Sequence, residues 1–231
     1  MPKPRASRSG RTKPAVARSV DHQRKPPPAG LRTSPALERA SRVAASAERA
    51  DRLTLDQIVE TGLRLTRAHG VESFTMRTLA EELGVSAMAT YYYVSSKNAL
   101  VELLIDAVVD AVPIPDPGSG RWSERLWQQN RATRKAFAAH PGLADALLAR
   151  PVTPAGQRQV AASVAMLREA GFDDREAMQA YFTFEACMFG RSVIERSQRA
   201  PVSDDKAYRW AFDTLVAGFE ARIAQVAPKD R

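Results

Sequence analysis

The chain has little of what most enzymes and most secreted proteins are built on. One cysteine, Cys187, stands among 231 residues; no disulfide can form within the chain, and the apolar setting of Cys187 predicts a buried, inert thiol in a reducing compartment. The three histidines, His22, His69 and His140, show no metal-ligand spacing with one another or with Cys187. His69 stands beside Gly70 and His140 before Pro141, which suits helix ends better than catalysis. No glycine-rich phosphate loop or nucleophile elbow occurs, and the pairs Glu81-Glu82 and Asp173-Asp174 read as solvated or capping carboxylates. Neither catalysis, nor a metal, nor a cofactor is expected. No apolar run reaches about 18 residues, and the amino terminus has no apolar centre of the kind an export signal needs, so a cytoplasmic protein is expected. Its Arg- and Ser-rich start superficially suits a transit peptide, but the prolines there would spoil the amphipathic helix that such peptides use. Period-two alternation and hairpin dipeptides are missing as well, which excludes a sheet protein.

What is present is unevenly distributed. Residues 1–52 hold 13 Lys and Arg against 4 Asp and Glu, whereas the remaining 179 hold 21 against 22. The whole excess of positive charge therefore belongs to the amino-terminal arm. Six of the 15 prolines fall within residues 1–34, where almost nothing can form a core, so residues 1–50 are expected to form a disordered basic arm that adds affinity for a polyanion. Within that arm, 35–51 has helix-forming residues but an apolar face made mostly of alanine, which marks at best a marginal helix. A non-specific, architectural DNA-coating protein driven by this arm is the competing reading of the chain.

After the arm, helix grammar repeats. Thr54 caps a helix with Gln57 reaching back and Leu53 and Ile58 as a staple, and that helix stops at Gly70. Thr75 opens a short helix ending at Gly84, Ser86 opens another to about Val94, and Ser96 opens a fourth that ends before the Pro- and Gly-rich "PIPDPGSG". Helices near 124–139, 142–149, 155–170, 174–197 and 204–226 follow, opened at Ser123, Thr153-Pro154, Asp173 and Ser203 where caps are evident. The expected fold class is all-α with about nine helices: a three-helix helix-turn-helix domain over 51–97, joined to a larger helical ligand-binding and dimerisation domain over 98–231.

The short helix, tight turn at Gly84-Val85 and second short helix form the decisive spacing, because in a helix-turn-helix the second helix enters the major groove. Ala80 is small where the two helices cross. Leu79, Leu83, Val85, Tyr91 and Val94 are placed for a small core with Ile58, Leu65, Leu100 and Leu103. Tyr91 and Val94 share a face, so Tyr91 is expected inward with its hydroxyl free, while Tyr92 and Tyr93, turned by about 100° and 200°, face elsewhere. Lys97 lies in the first turn of a helix, where the positive dipole end disfavours a cation unless an anion docks there.

On these residues the stretch "TMRTLAEELGVSAMATYYYVSSKNALVELL" resembles the DNA-binding domain of TetR-type transcriptional repressors, and the "YYYV" ending leans toward the tetracycline-repressor branch. The resemblance implies that Arg77 reaches a base edge or a phosphate, with Thr75 or Met76 on the backbone beside it. Beyond Ser86 it implies that Ala87, Met88, Ala89 and Tyr92 present to bases, and that Tyr91, Tyr93 and Lys97 meet phosphates. Thr90 departs from the family pattern, which usually has an apolar residue there. Ala-Met-Ala carries no side-chain hydrogen bond, only apolar surface suited to thymine methyl groups, so polar discrimination falls to Arg77 and the tyrosine hydroxyls.

In the body, residues 176–195 carry Met and aromatic side chains nearly all round a helix, so several faces must be covered. Such stripes are commonly plain core. The resemblance implies a small-molecule effector site here, with Trp122, Trp127, Phe137, Met166, Met178, Tyr181 and Phe182 as wall residues. It also implies dimerisation through the last two long helices, for which Phe184, Met188, Tyr208, Phe212, Leu215 and Phe219 are the interface candidates. The expected function is a ligand-responsive repressor that binds a palindromic operator as a homodimer.

Overall fold

The computed structural model describes residues 35–50, 52–196 and 205–226. Among them lie ten helices and no strand: α1 Pro35–Ala50, α2 Leu55–His69, α3 Met76–Leu83, α4 Ala87–Tyr93, α5 Lys97–Asp110, α6 Trp122–Ala138, α7 Leu143–Leu148, α8 Pro154–Ala170, α9 Asp174–Arg196 and α10 Asp205–Val226. The described residues from Arg42 onward form one compact unit, and the first part of α1 belongs to a separate one. The tenth helix is α1, where the sequence marks only a marginal one. None of its described side chains is buried, in keeping with a face built largely from alanine. Residues 1–34, the basic arm proper, lie outside the described residues, as does the expected start at Ser203.

Five predicted caps are made as read. Thr54, Thr75, Ser86, Ser96 and Thr153 each accept the backbone N–H three residues on, at 3.1–3.2 Å, and each contributes about 1 kcal/mol to its helix. Asp173 does the same for Glu176 at 2.8 Å. Ser123 does not: α6 starts two residues earlier, at Trp122 after Arg121, which makes no side-chain cap, and Ser123 is buried instead. Gly84 ends α3 in the left-handed conformation (φ 67°, ψ 29°), where a Cβ would cost about 1 kcal/mol, and this turn sets the crossing of α3 and α4.

Two apolar cores result. The first joins Ile58 and Leu65 of α2, Leu79 and Ala80 of α3, Val94, and the buried side of α5 to Phe137 and Leu143 in the body. The helix α5 thus serves both parts, with Leu100, Leu104, Ile105 and Val108 in one continuous core. The second core holds α6, α8, α9 and α10 together around Leu126, Leu167, Phe184, Met188 and Phe212. A seam ties the body to α2: the Val71 N–H donates to the Pro141 carbonyl at 2.9 Å, and Arg67 Nε donates to His140 Nε2 at 3.0 Å. The other ring nitrogen, Nδ1, lies 2.8 Å from the Ala136 carbonyl, so His140 closes the end of α6, donating there and accepting from Arg67.

Candidate functional site

In α4 only Thr90 is buried. It occupies the position expected of an apolar residue, and its hydroxyl is satisfied locally by donating to the Ala87 carbonyl at 2.7 Å. This corrects the expected place of Tyr91, which is exposed along with Tyr92 and Tyr93. The reason is geometric. Val94 leaves the helix with extended backbone and pairs across the inner face with Thr90, four residues before it, so Tyr91 is turned about 100° outward. Met88 and Tyr92 protrude furthest, at 79% and 87% exposure. Tyr92 meets the edge of the Tyr93 ring, with centroids 5.3 Å apart, which restrains two of the three tyrosines against each other. Ala87 is exposed and Ala89 half-buried against the core.

The neighbouring elements differ in how far they bear out the sequence reading. Arg77 is exposed and held by Glu81 one turn on, Nε to Oε1 2.9 Å, an exposed pair worth a few tenths of a kcal/mol that a stronger anion displaces. Met76, expected beside Thr75 on a backbone, is a correction: it is buried, because the Thr75 cap sets it on the face of Leu79 and Ala80, three and four residues later. Thr75 stays exposed at the helix start. Lys97 is not idle: its Nζ donates to the Glu72 carbonyl at 3.1 Å and sits 5.4 Å from the Phe74 ring centre, pinning the loop before α3 to the start of α5.

The body holds a cavity of about 790 Å³ between α6, α9 and the starts of α7 and α10. Of the predicted wall residues it has Trp127 and Phe137. Trp122 and Met166 are not on it; both are buried in the second core. Tyr181 packs beside that core with its ring 5.6 Å from Phe182, and Met178 and Phe182 point away from the subunit, Phe182 at 61% exposure. Two residues expected at a dimer interface, Met188 and Tyr208, line the cavity instead. The remaining interface candidates fail in the same sense. Phe184, Phe212 and Phe219 are buried within the subunit, and Leu215 packs against them. With apolar residues on every face of α9, their order along the chain does not distinguish inward from outward. The outward stripes are Met178, Phe182, Ala186, Val193 and Ile194 on α9 and Trp210, Thr214 and Ala217 on α10. Cys187 is also exposed rather than buried.

Sequence reasoning missed the polar half of the cavity. Arg134 reaches Glu195 at 3.2 Å and Asp205 at 2.9 Å, and its guanidinium lies 4.3 Å from the centre of the Tyr208 ring. The Tyr208 hydroxyl donates to Asn130 Oδ1 at 2.7 Å, and burial pushes it up to about 12. Glu185 also lines the cavity, and burial alone raises its carboxyl to about 7. The available signal was its position as a lone acid inside the apolar run "YFTFEACMF". Among the described residues no cluster of three or more His, Cys, Asp or Glu is arranged to hold a metal, and no helix is long and apolar enough to cross a membrane.

Comparison with known proteins covers both parts of the chain. Residues 58–104 match the family model for bacterial regulatory proteins of the tetR family, and residues 114–219 match the tetracyclin repressor-like C-terminal domain. The HTH-type transcriptional repressor DrrR1 of Streptomyces coeruleorubidus is 30% identical over 164 residues, 68% of this chain and 61% of that protein; the matched region thus spans about three fifths of that relative. The class E tetracycline repressor protein of Escherichia coli is 25% identical over 199 residues, 74% of this chain and 93% of that one. Among solved structures, the Streptomyces coelicolor TetR family protein ActR in complex with (S)-DNPA superposes with a TM-score of 0.65 at 25% identity, covering 74% of this chain and 98% of ActR.

Proposed function

The chain belongs to the TetR family of bacterial regulatory proteins, and on that premise we propose that it is a cytoplasmic, non-enzymatic transcriptional repressor. It binds a palindromic operator as a homodimer and releases it when a small molecule fills the body cavity. One observation carries this reading: α4 turns a single small residue inward and presents Met88, Tyr91, Tyr92 and Tyr93 to the outside. Four large apolar or aromatic side chains on two helical turns are a costly surface in water, and a groove edge is a partner that accounts for them. In this assignment Arg77 and Tyr92 read bases, with Ala87, Met88 and Ala89 against thymine methyl groups. Thr75, Ser86, Tyr91, Tyr93 and Lys97 meet the backbone, and Met76 offers only its main-chain N–H. Residues 51–97 form the reading domain, and residues 98–231 hold the cavity and the dimer surface.

The exposed stripes of α9 and α10 support dimerisation through these two helices. A Cβ built on Gly190 or Gly218 meets nothing within 4 Å, so these positions leave room for close approach by helices of a second copy. Coupling runs through the seam. Pro141 and Gly142 are at once part of the cavity wall and the contact surface for Val71. A ligand that binds better when this turn is displaced shifts the spacing of the two reading heads, which requires only differential affinity for the two arrangements. Footprinting on genomic fragments captured by the full chain tests the reading: a discrete two-fold site supports it, and uniform protection supports a DNA-coating protein instead.

A further inference from the structure

We propose that the body cavity takes a planar aromatic cation, with Glu185 as counter-charge for its amine or amidine and the rings of Phe137 and Phe189 as the surfaces it lies against. The inference rests on reading this cavity as the effector site and assigns the chemical class of the effector. Its volume, about 790 Å³, is in the range that holds a ligand of drug size.

The charges around the cavity single out one group. From α6 come Arg131, Arg134 and Lys135, from α9 Glu185 and Glu195, and from α10 Asp205. Arg134 is committed to Glu195 and Asp205, Glu195 is also 2.9 Å from Arg191, and Arg131 leans toward Asp205 at 3.6 Å. That leaves Lys135, which is exposed, and Glu185 as the one half-buried charge, whose carboxylate makes no hydrogen bond or ion pair among the described residues. The neighbouring hydroxyl offers it no proton either, since that of Tyr208 goes to Asn130. Tyr181, one turn earlier on the same helix, and Tyr208 opposite are both raised further by the Glu185 charge, whereas no cation lowers Glu185 itself. An acid held in an apolar, aromatic wall with no partner is costly unless a ligand brings one.

The remaining walls select the rest of the ligand. Trp127 is 5.9 Å from Tyr208, and Phe137 is 6.5 Å from Phe189, ring centre to ring centre. Arg134 already lies over the Tyr208 ring and Arg209 over the Trp127 ring, at 4.3 and 4.9 Å; the Phe137–Phe189 pair carries no such cation among the described residues, and its flat, electron-rich surface attracts a delocalised cation more than a neutral ring. A carboxylate ligand would find the Arg134 guanidinium already neutralised and would face the charge of Glu185.

Titration of the full chain with three probes of one ring system tests this: 9-aminoacridine, a cation at pH 8, neutral acridine, and acridine-9-carboxylate. The expected result is at least tenfold tighter binding of 9-aminoacridine than of the other two, lost in Glu185→Gln. In the unaltered protein, affinity for the cation rises between pH 6 and pH 8 as Glu185 ionises, a readout that needs no variant. Equal affinity for the three probes, preference for the anion, absence of binding, or cation binding unchanged in Glu185→Gln overturns the assignment. Footprinting without any probe is read separately: a protected operator alongside a failed cation preference sinks the ligand class alone, and a missing operator sinks the regulator itself.

Discussion

Replacing Glu185 with glutamine keeps the volume of the side chain and removes a charge that the fold holds at a cost. The carboxyl moves from 4.5 to about 7 on folding, through burial, and at about 1.4 kcal/mol for each tenfold change in the proton equilibrium this is worth about 3 kcal/mol. Water entering the cavity screens part of it, leaving about 1 to 3 kcal/mol. The direction follows from proton counts. Below pH 4.5 both folded and unfolded chains carry the proton and Glu185 makes no pH-dependent difference. Between 4.5 and about 7 the unfolded chain loses its proton while the folded chain keeps it, so stability falls as pH rises, and above 7 the full penalty is present. Urea unfolding followed by circular dichroism, run from pH 4.5 to pH 8 on both proteins, should therefore show a gap that widens in favour of Glu185→Gln by about 1 to 3 kcal/mol. A constant offset from burying the amide appears at every pH and leaves this slope untouched. If the gap stays the same at both ends of the range, Glu185 is not desolvated and the electrostatic description of the cavity is wrong.

Three further outcomes are expected. Arg77→Ala should lose preference at one base pair of each half-site by about 1 to 3 kcal/mol, measured by competition binding on operator variants; equal weakening on every sequence would reduce Arg77 to a phosphate contact. Deleting residues 1–34, which hold nine Lys and Arg and one Asp, should weaken binding to all DNA and make its salt dependence shallower, and an unchanged slope would remove the arm from the interface. Trp210→Glu places a charge on the exposed stripe of α10, where Trp210 is 70% exposed, and should convert the dimer to a monomer by sedimentation at micromolar protein without lowering the helix content. A dimer that survives this change would put the interface elsewhere.

The reading domain was largely legible in the sequence because it is specified locally. Caps at Thr54, Thr75, Ser86 and Ser96 and the stop at Gly84 act over three or four residues, so their order along the chain fixes the helices. The misplacement of Tyr91 came from the one position where local geometry was ambiguous: Val94 follows either Tyr91 at three residues or Thr90 at four, and only the departure of Val94 from the helix decides between them. The body was legible as helices but not as surfaces. Phe182 and Phe184 differ by two residues and are alike in kind, yet one faces out and the other is buried, because the partner of each face comes from residues far along the chain. The cavity was half visible through Trp127 and Phe137, and its charged half depended on Arg134 meeting Glu195 and Asp205 across 61 and 71 residues.

The inward threonine of α4 has a consequence for how such a protein changes over time. Thr90 is the one buried side chain of that helix, so the exposed Ala87, Met88 and Tyr91 can be exchanged with effects on stability of about 0.5 kcal/mol or less, and Tyr92 and Tyr93 at the loss of their contact with each other. The surface that meets the groove can therefore drift toward a new operator while the fold, the cavity and the dimer stay as they are. New regulatory targets are open to this chain through substitutions that its folding does not register.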